Sequence, residues 1–224
     1  WPGAGYDPAM CGRYVTKMLD DIHREFLVER GRWPLGDRYN VAPSQDVPVV
    51  RIAGGEREAA MMRWGLIPFF ARGETPKYAT INATIEKVGS GPAWRGPWKR
   101  GQRCILPASG FYEWHVGGDG RKQPFYITLA DQEIFGFAGL WDRSVREDDT
   151  AVESCTIITL PANRLMSEIH NTKHRMPAIL AREEREAWLT GTGDDARAAL
   201  RPSPDDLMVA WKVSPRVNSP KNDD

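Results

Sequence analysis

The chain has 224 residues, 41% of them hydrophobic, with nine tryptophans and 30 basic residues balanced by 30 acidic ones. That length buries one sizeable core, and a formal net charge of zero sets up no global field for a polyanion, so a nucleic-acid partner would need a local patch. No apolar run approaches the roughly 20 residues of a membrane span, the first ten residues lack the basic-then-apolar order of a secretory signal, and three cysteines without a Cys-x-x-Cys pair argue against a disulfide framework or a zinc site. A soluble, cytoplasmic monomer without metal or cofactor is expected.

The chain opens on WPGAGYDPA, then Met10, Cys11, Gly12, Arg13 and Tyr14. Residues 1–10 read as a leader or cloning remnant, 11–218 as one domain, and 219–224 (SPKNDD) as a loose tail. Val15, Met18, Leu19, Ile22, Phe26 and Leu27 repeat at helical spacing until Gly31 and Pro34, which predicts an amphipathic helix directly after the Cys. VPVVRIAGGEREAAMMRWGLIP predicts two strands around Gly54-Gly55, and FYEWHVGGDGRKQPFYITLADQEIFGFAGLWD predicts three, joined at GGDG and ADQ. A further strand is expected over Ser154 to Leu160, helices in ANRLMSEIH and LAREEREAWLTG, and a closing strand in LMVAWKVS. The mixture predicts an α+β fold: a single compact domain with a mainly antiparallel, barrel-like curled sheet flanked by helices.

Chemistry centres on Cys11. If translation begins at Met10, the small residue after it lets the Met be trimmed, and Cys11 then carries a free α-amine beside its thiol. An aldehyde condenses with the amine to an imine, and the thiol closes on the same carbon to a five-membered thiazolidine; one residue holding both groups removes most of the entropy cost of the second step. The ordinary alternative is a small buried cysteine. In WRGPWKRGQR, Trp94 to Arg103, aromatic and cationic residues interleave as nucleic-acid contacts would, but on this stretch alone a solvated turn with two tryptophans packed into the core is the preferred reading.

MCGRY, RYNVAPSQ, MRWGLIP, INATIE, RCILPASGFYEW and IHNTKHRMPAIL follow one another along the chain. In this order they resemble the SOS response-associated peptidase (SRAP) family, from Cys11 to the VSPRVN stretch. The resemblance implies recognition of abasic sites in single-stranded DNA. It also implies a covalent thiazolidine crosslink through the N-terminal Cys, a lyase-like chemistry that shields the lesion during the DNA damage response. Cys11 would be the nucleophile, Asn82 would hold the opened deoxyribose, and Glu113 would move protons between amine, sugar oxygen and imine. His170 matches the family's Ile-His and would assist ring opening, although His174 stands directly before Arg-Met-Pro. Arg13 and Arg38 match phosphate-gripping positions. Trp64 and the Phe69-Phe70 pair match aromatics that stack on or wedge between bases, Trp64 being equally readable as core. Where the family has Asn-Ala-Arg this chain has Asn82-Ala83-Thr84, and Lys77 or Arg175 would replace the missing cation. With residue 1 in place the Cys11 amine is an amide, so the alternative function is a thiol peptidase that removes its own leader, with Cys11 attacking the Met10 carbonyl, or that cleaves other proteins.

Overall fold

The computed structural model describes residues 12–17, 19–34 and 36–223. The chain begins with β1 (Arg13–Thr16), α1 (Leu19–Glu25) and β2 (Arg38–Val41), followed by the hairpin β3 (Asp46–Ala53) and β4 (Glu56–Trp64). Gly54 and Gly55, at φ 63° and 86°, form its two-residue turn, and Ala53 faces Glu56 across it. Positive φ at both central positions is what a tight right-twisting hairpin requires. Next come β5 (Asn82–Thr84), α2 (Arg95–Lys99), β6 (Arg103–Ala108), β7 (Gly110–Val116), β8 (Lys122–Leu129), β9 (Phe135–Val145) and β10 (Ala151–Pro161). The chain ends with α3 (Arg164–Ile169), β11 (Arg175–Pro177), β12 (Ile179–Leu180), α4 (Arg185–Thr190), α5 (Gly193–Ala198) and β13 (Met208–Lys212).

Strands β4, β3, β6, β9 and β10 pair in that order, and β10 returns to β4 through a parallel contact, Ser154 to Arg63 and Cys155 to Trp64. The ring is therefore a closed five-stranded barrel, shut at the end of β4 where Arg63 and Trp64 meet β10. A second antiparallel sheet, ordered β13-β8-β7-β1-β2, packs against it. The chain crosses between the two at Ser109, where β6 becomes β7. Gly110 is required there: a Cβ would lie 2.2 Å from the Tyr126 ring. Phe137 of β9 binds the layers together, with edge-to-face contacts to Tyr14 at 5.8 Å, Phe111 at 5.9 Å and Phe135 at 5.4 Å.

The predicted single-domain α+β barrel is the observed fold, and the predicted strands of the middle of the chain are present. The helix predicted directly after the Cys is shorter than its periodicity suggested. Ile22 and Phe26 do face the core, but Val15 lies in β1 opposite Gly110, and Leu27 adopts φ 51° with its side chain exposed. A strand with a hydrogen-bonded neighbour on each side overrides a weak helical pattern, because every backbone group is satisfied there. Residues 219–223 hydrogen-bond to β2. Asn40 donates from its amide nitrogen to the carbonyls of Val217, Ser219 and Asn222. Asp223 pairs with Arg38 and accepts from the backbone N–H groups of Tyr39 and Asn40, each at 2.6 Å. A charge pattern reads as solvated unless the sequence reveals the buried amide that receives it.

Candidate functional site

Gly12, the first described residue, leads into β1, whose register sets Arg13 opposite Tyr112 and Tyr14 opposite Phe111 of β7. Extending that antiparallel register by one residue carries Gly12 toward Glu113. Side chains alternate along a strand, so Glu113 shares its face with Phe111, which is in the core, and with His115, while Tyr112 and Trp114 turn to the other side. Glu113 is only 3% exposed. A carboxyl so placed is not the exposed strand glutamate that composition alone would suggest. Cys11 itself lies outside the described residues.

The helix α3 is fastened to the far end of β7. Asn163 caps its start by accepting from the Met166 N–H at 2.8 Å. At its other end His115 Nδ1 donates to the Glu168 carbonyl at 2.9 Å, and Asn171 pairs with the backbone of Val116. Between these two contacts stands His170, the helix's C-terminal cap, 5% exposed. Its Nδ1 lies 3.2 Å from the Arg175 carbonyl. A carbonyl only accepts, so Nδ1 carries the hydrogen and Nε2 is left as the basic nitrogen. His174, by contrast, is exposed in a left-handed turn at φ 50°.

Arg175 connects this corner to Asn82. Its guanidinium donates to the Thr159 carbonyl at 2.7 Å and forms a two-pronged pair with Glu86 at 2.8 and 3.0 Å. Glu86 follows β5, which runs parallel to β10 with Asn82 opposite Ile157. The arginine's hydrogen bonds pull the Glu86 carboxyl down to about 2. His170 is thus fastened to β7, the strand of Glu113, through α3, and to β10 through Arg175, while Asn82 stands on β5, the parallel neighbour of β10.

The expected DNA-contacting residues divide into two groups. Phe69 and Phe70 are 56% and 52% exposed and meet edge to face at 5.6 Å, and Lys77 is exposed nearby in sequence. The Phe69 N–H donates to Asp142 and the Ile67 N–H to Ser154 Oγ. Ser154 is three residues from Ile157 along β10, which puts this loop roughly 10 Å from Asn82 at the usual strand rise. Trp64 is a correction: it is fully buried, donates to the Ile81 carbonyl at 3.0 Å and packs edge-on against Tyr14. Its ring is closed off inside the barrel and offers no face to a base. The arginines also turn inward. Arg13 donates to Asn40 and to the carbonyls of Val217 and Asn218, Arg38 to Asp223 and Gln45, and Arg175 to Glu86. Arg175 therefore holds the protein together where a free cation was expected.

Two further residues organise the neighbourhood without having been anticipated as site residues: Asn40, which holds the C-terminal segment against β2 and accepts from Arg13, and Asn171, which holds α3 to β7. Asn40 stands inside the RYN motif; the signal was its motif, but the sequence does not show that its amide is buried. Among the described residues no group of three His, Cys, Asp or Glu side chains could hold a metal ion, and no helix is long and apolar enough to cross a membrane. Cys104 and Cys155 are fully buried, and burial pushes both thiols well above their usual range.

The SOS response associated peptidase (SRAP) family model matches residues 10–220. The abasic site processing protein YoqW of Bacillus subtilis (strain 168) is 38% identical over 220 residues, spanning 95% of this chain and 96% of its own. The abasic site processing protein HMCES of Gallus gallus is 32% identical, spanning 83% of this chain and 63% of its own. A solved structure of a Bacteroides thetaiotaomicron protein superposes with a TM-score of 0.85 at 29% identity, covering 95% of this chain and 97% of that one. A Bordetella bronchiseptica protein superposes with a TM-score of 0.79 at 31% identity, covering 91% of this chain and all of that one. With a family model spanning nearly its whole length and relatives that align from end to end, this chain belongs to the SOS response associated peptidase (SRAP) family.

Proposed function

We propose that this protein processes abasic sites in single-stranded DNA by joining Cys11, once it is the first residue, to the ring-opened sugar as a thiazolidine. The observation that carries the reading is the register of β1 on β7, which leads the chain past a buried carboxyl, Glu113, toward the corner where His170 keeps a basic Nε2. Relatives of end-to-end similarity bear the name abasic site processing protein.

The chemistry needs two proton carriers and one holder. His170 Nε2 exchanges a proton with the sugar as its ring opens to the aldehyde, and Asn82 holds the opened sugar by hydrogen bonds. The Cys11 amine adds to the aldehyde carbon. Glu113 delivers a proton to the departing hydroxyl, one water leaves, and an imine remains. The thiol sulfur then bonds to the same carbon while its proton passes to the ring nitrogen, closing the five-membered ring. The net change is addition of the DNA strand with loss of one water. Burial of Glu113 serves this sequence, because a carboxyl packed at 3% exposure is held in one place for the proton transfers.

Intact-mass measurement tests it. Protein beginning at Cys11, mixed with an abasic single strand, gains the mass of the strand less one water, and the Cys11→Ala variant gains nothing. Unchanged mass in the wild type rejects the reading.

A further inference from the structure

The stretch Trp94 to Arg103, readable from sequence as a nucleic-acid patch or as a turn with buried tryptophans, combines a packed aromatic side with an exposed cationic one. Trp94 is 8% exposed, Pro97 is buried, and Trp98 packs against Trp188 at 6.3 Å, so the apolar side of α2 is fixed to the body. Its other side carries Arg95 and Lys99, one helical turn apart, with Arg100 directly after; all three are exposed. Neither Arg95 nor Lys99 has a carboxylate partner among the described residues, in contrast to Arg57, Arg182 and Arg201, each paired with a glutamate. Like charges one turn apart disfavour a helix slightly, so helix stability gives no reason to place both Arg95 and Lys99 here.

Arg100 joins this patch to the exposed aromatic pair. Its guanidinium carbon lies 5.3 Å from the centre of the Phe69 ring, and it donates to Asp142 Oδ1 at 3.0 Å. The other oxygen of the same carboxylate accepts from the Phe69 backbone N–H at 3.0 Å. One buried carboxylate, 2% exposed, therefore fixes the aromatic loop and the cationic helix relative to each other. Ser154, three residues before the partner of Asn82 on β10, holds Ile67, and Asp142 opposite Ser154 on β9 holds both Phe69 and Arg100, so the aromatic loop and the end of α2 adjoin.

We propose that Arg95 and Lys99, with Arg100, form a second contact with the DNA phosphate backbone, beyond the Phe69-Phe70 pair as seen from the lesion. The proposal rests on the function proposed above for the placement of the lesion. The patch itself reads only phosphate, so it acts on whatever backbone continues past the aromatic pair, whether single-stranded or paired with a complement. Each phosphate contact contributes a slope of about 0.7 in log K against log salt on single strands and about 0.9 on duplex.

The test compares wild type with the Arg95→Ala/Lys99→Ala double variant, and with Arg95→Gln/Lys99→Gln as a control for lost packing. The DNAs are a short single strand bearing little more than the abasic site, the same strand extended to either side, and the extended strands annealed to a complement along the extension. The double variant matches wild type on the short strand. On an extended one its salt slope is shallower by about 1.4 if single-stranded and about 1.8 if duplex, and the strand form that shows the change identifies the source of the phosphates. An unchanged slope on every extended DNA overturns the proposal. The same slopes are measured on undamaged DNA, which reads the patch even if the wild type forms no crosslink, a result that would reject the crosslinking function alone.

Discussion

The side-chain amide of Asn171 makes both backbone hydrogen bonds of Val116, donating to its carbonyl at 2.9 Å and accepting from its N–H at 3.0 Å. One side chain thus acts as one residue of a neighbouring strand. It holds the end of α3, and with it His170, against the strand that carries Glu113. Asn171→Ala removes both bonds and lets the histidine drift. Because a misplacement of about 1 Å can cost about 100-fold in rate, crosslinking slows by one to two orders of magnitude while noncovalent DNA affinity stays within about threefold. Rapid-quench crosslinking beside fluorescence anisotropy separates the two.

Glu113→Gln keeps the shape of the side chain and removes its proton. Formation and reversal of the crosslink slow together, by at least about 100-fold, the lower range for a positioned acid–base group. Equal rates in variant and wild type would remove Glu113 from the chemistry.

Trp64 and Phe70 part company under mutation. Trp64→Ala empties a fully buried position and lowers stability by about 3–5 kcal/mol. Phe70→Ala leaves the unfolding midpoint unchanged and weakens single-strand binding by about 1–3 kcal/mol, the usual value of one stacked base. Denaturant titration and binding isotherms on both variants check the pair.

Lys77→Ala lowers the salt slope of single-strand binding by about 0.7, one phosphate contact, whereas Arg175→Ala leaves the slope unchanged and costs stability. The partner of Arg175 supplies a pH signature. The Glu86 carboxyl is held at about 2 in the folded protein, below its unfolded value, so its contribution is present above the ordinary carboxylate range and disappears as pH falls through about 2. Since the side chain is 56% exposed, that contribution is under about 1 kcal/mol. Glu86→Gln is therefore slightly less stable than wild type at neutral pH and indistinguishable from it in strong acid.

Alkylation distinguishes the cysteines. Cys104 and Cys155 face the core with thiols kept protonated by burial, so a thiol reagent at neutral pH modifies neither until the protein is unfolded. Denatured protein takes up two labels more than native protein. Peptide mapping that finds label on Cys104 in the native state contradicts the closed barrel.

Much of this architecture is legible in the sequence where short-range signals are strong. Gly54-Gly55 announces its hairpin, and GGDG separates β7 from β8. Elements fixed by distant partners were less accessible. β5 and β11 have three residues each and exist because β10 offers them backbone groups to bond. Among site residues, Glu113 and His170 could be picked out by resemblance, but their burial could not. The inward turn of Arg13 and Arg38 depends on Asn40 and on a C-terminal segment nearly the whole chain away. Trp64 shows the same limit from the other side, since aromatic residues look alike in sequence whether they line a core or a groove.

The strand β10 is bonded to β9 and β4 at its start and to β5 and β11 at its end. Its parallel partner β4 precedes it by most of the middle of the chain, so the ring cannot shut until a long loop has been closed, and closure of distant pairs is what makes folding slow. A growing polypeptide leaving the ribosome would carry β3, β4 and β6 as an open, sticky sheet until Pro161 has emerged. Asn82 gains its β10 neighbour only then, and His170, which follows Pro161 in the chain, later still, so the birth of any activity waits for completion of the last stave.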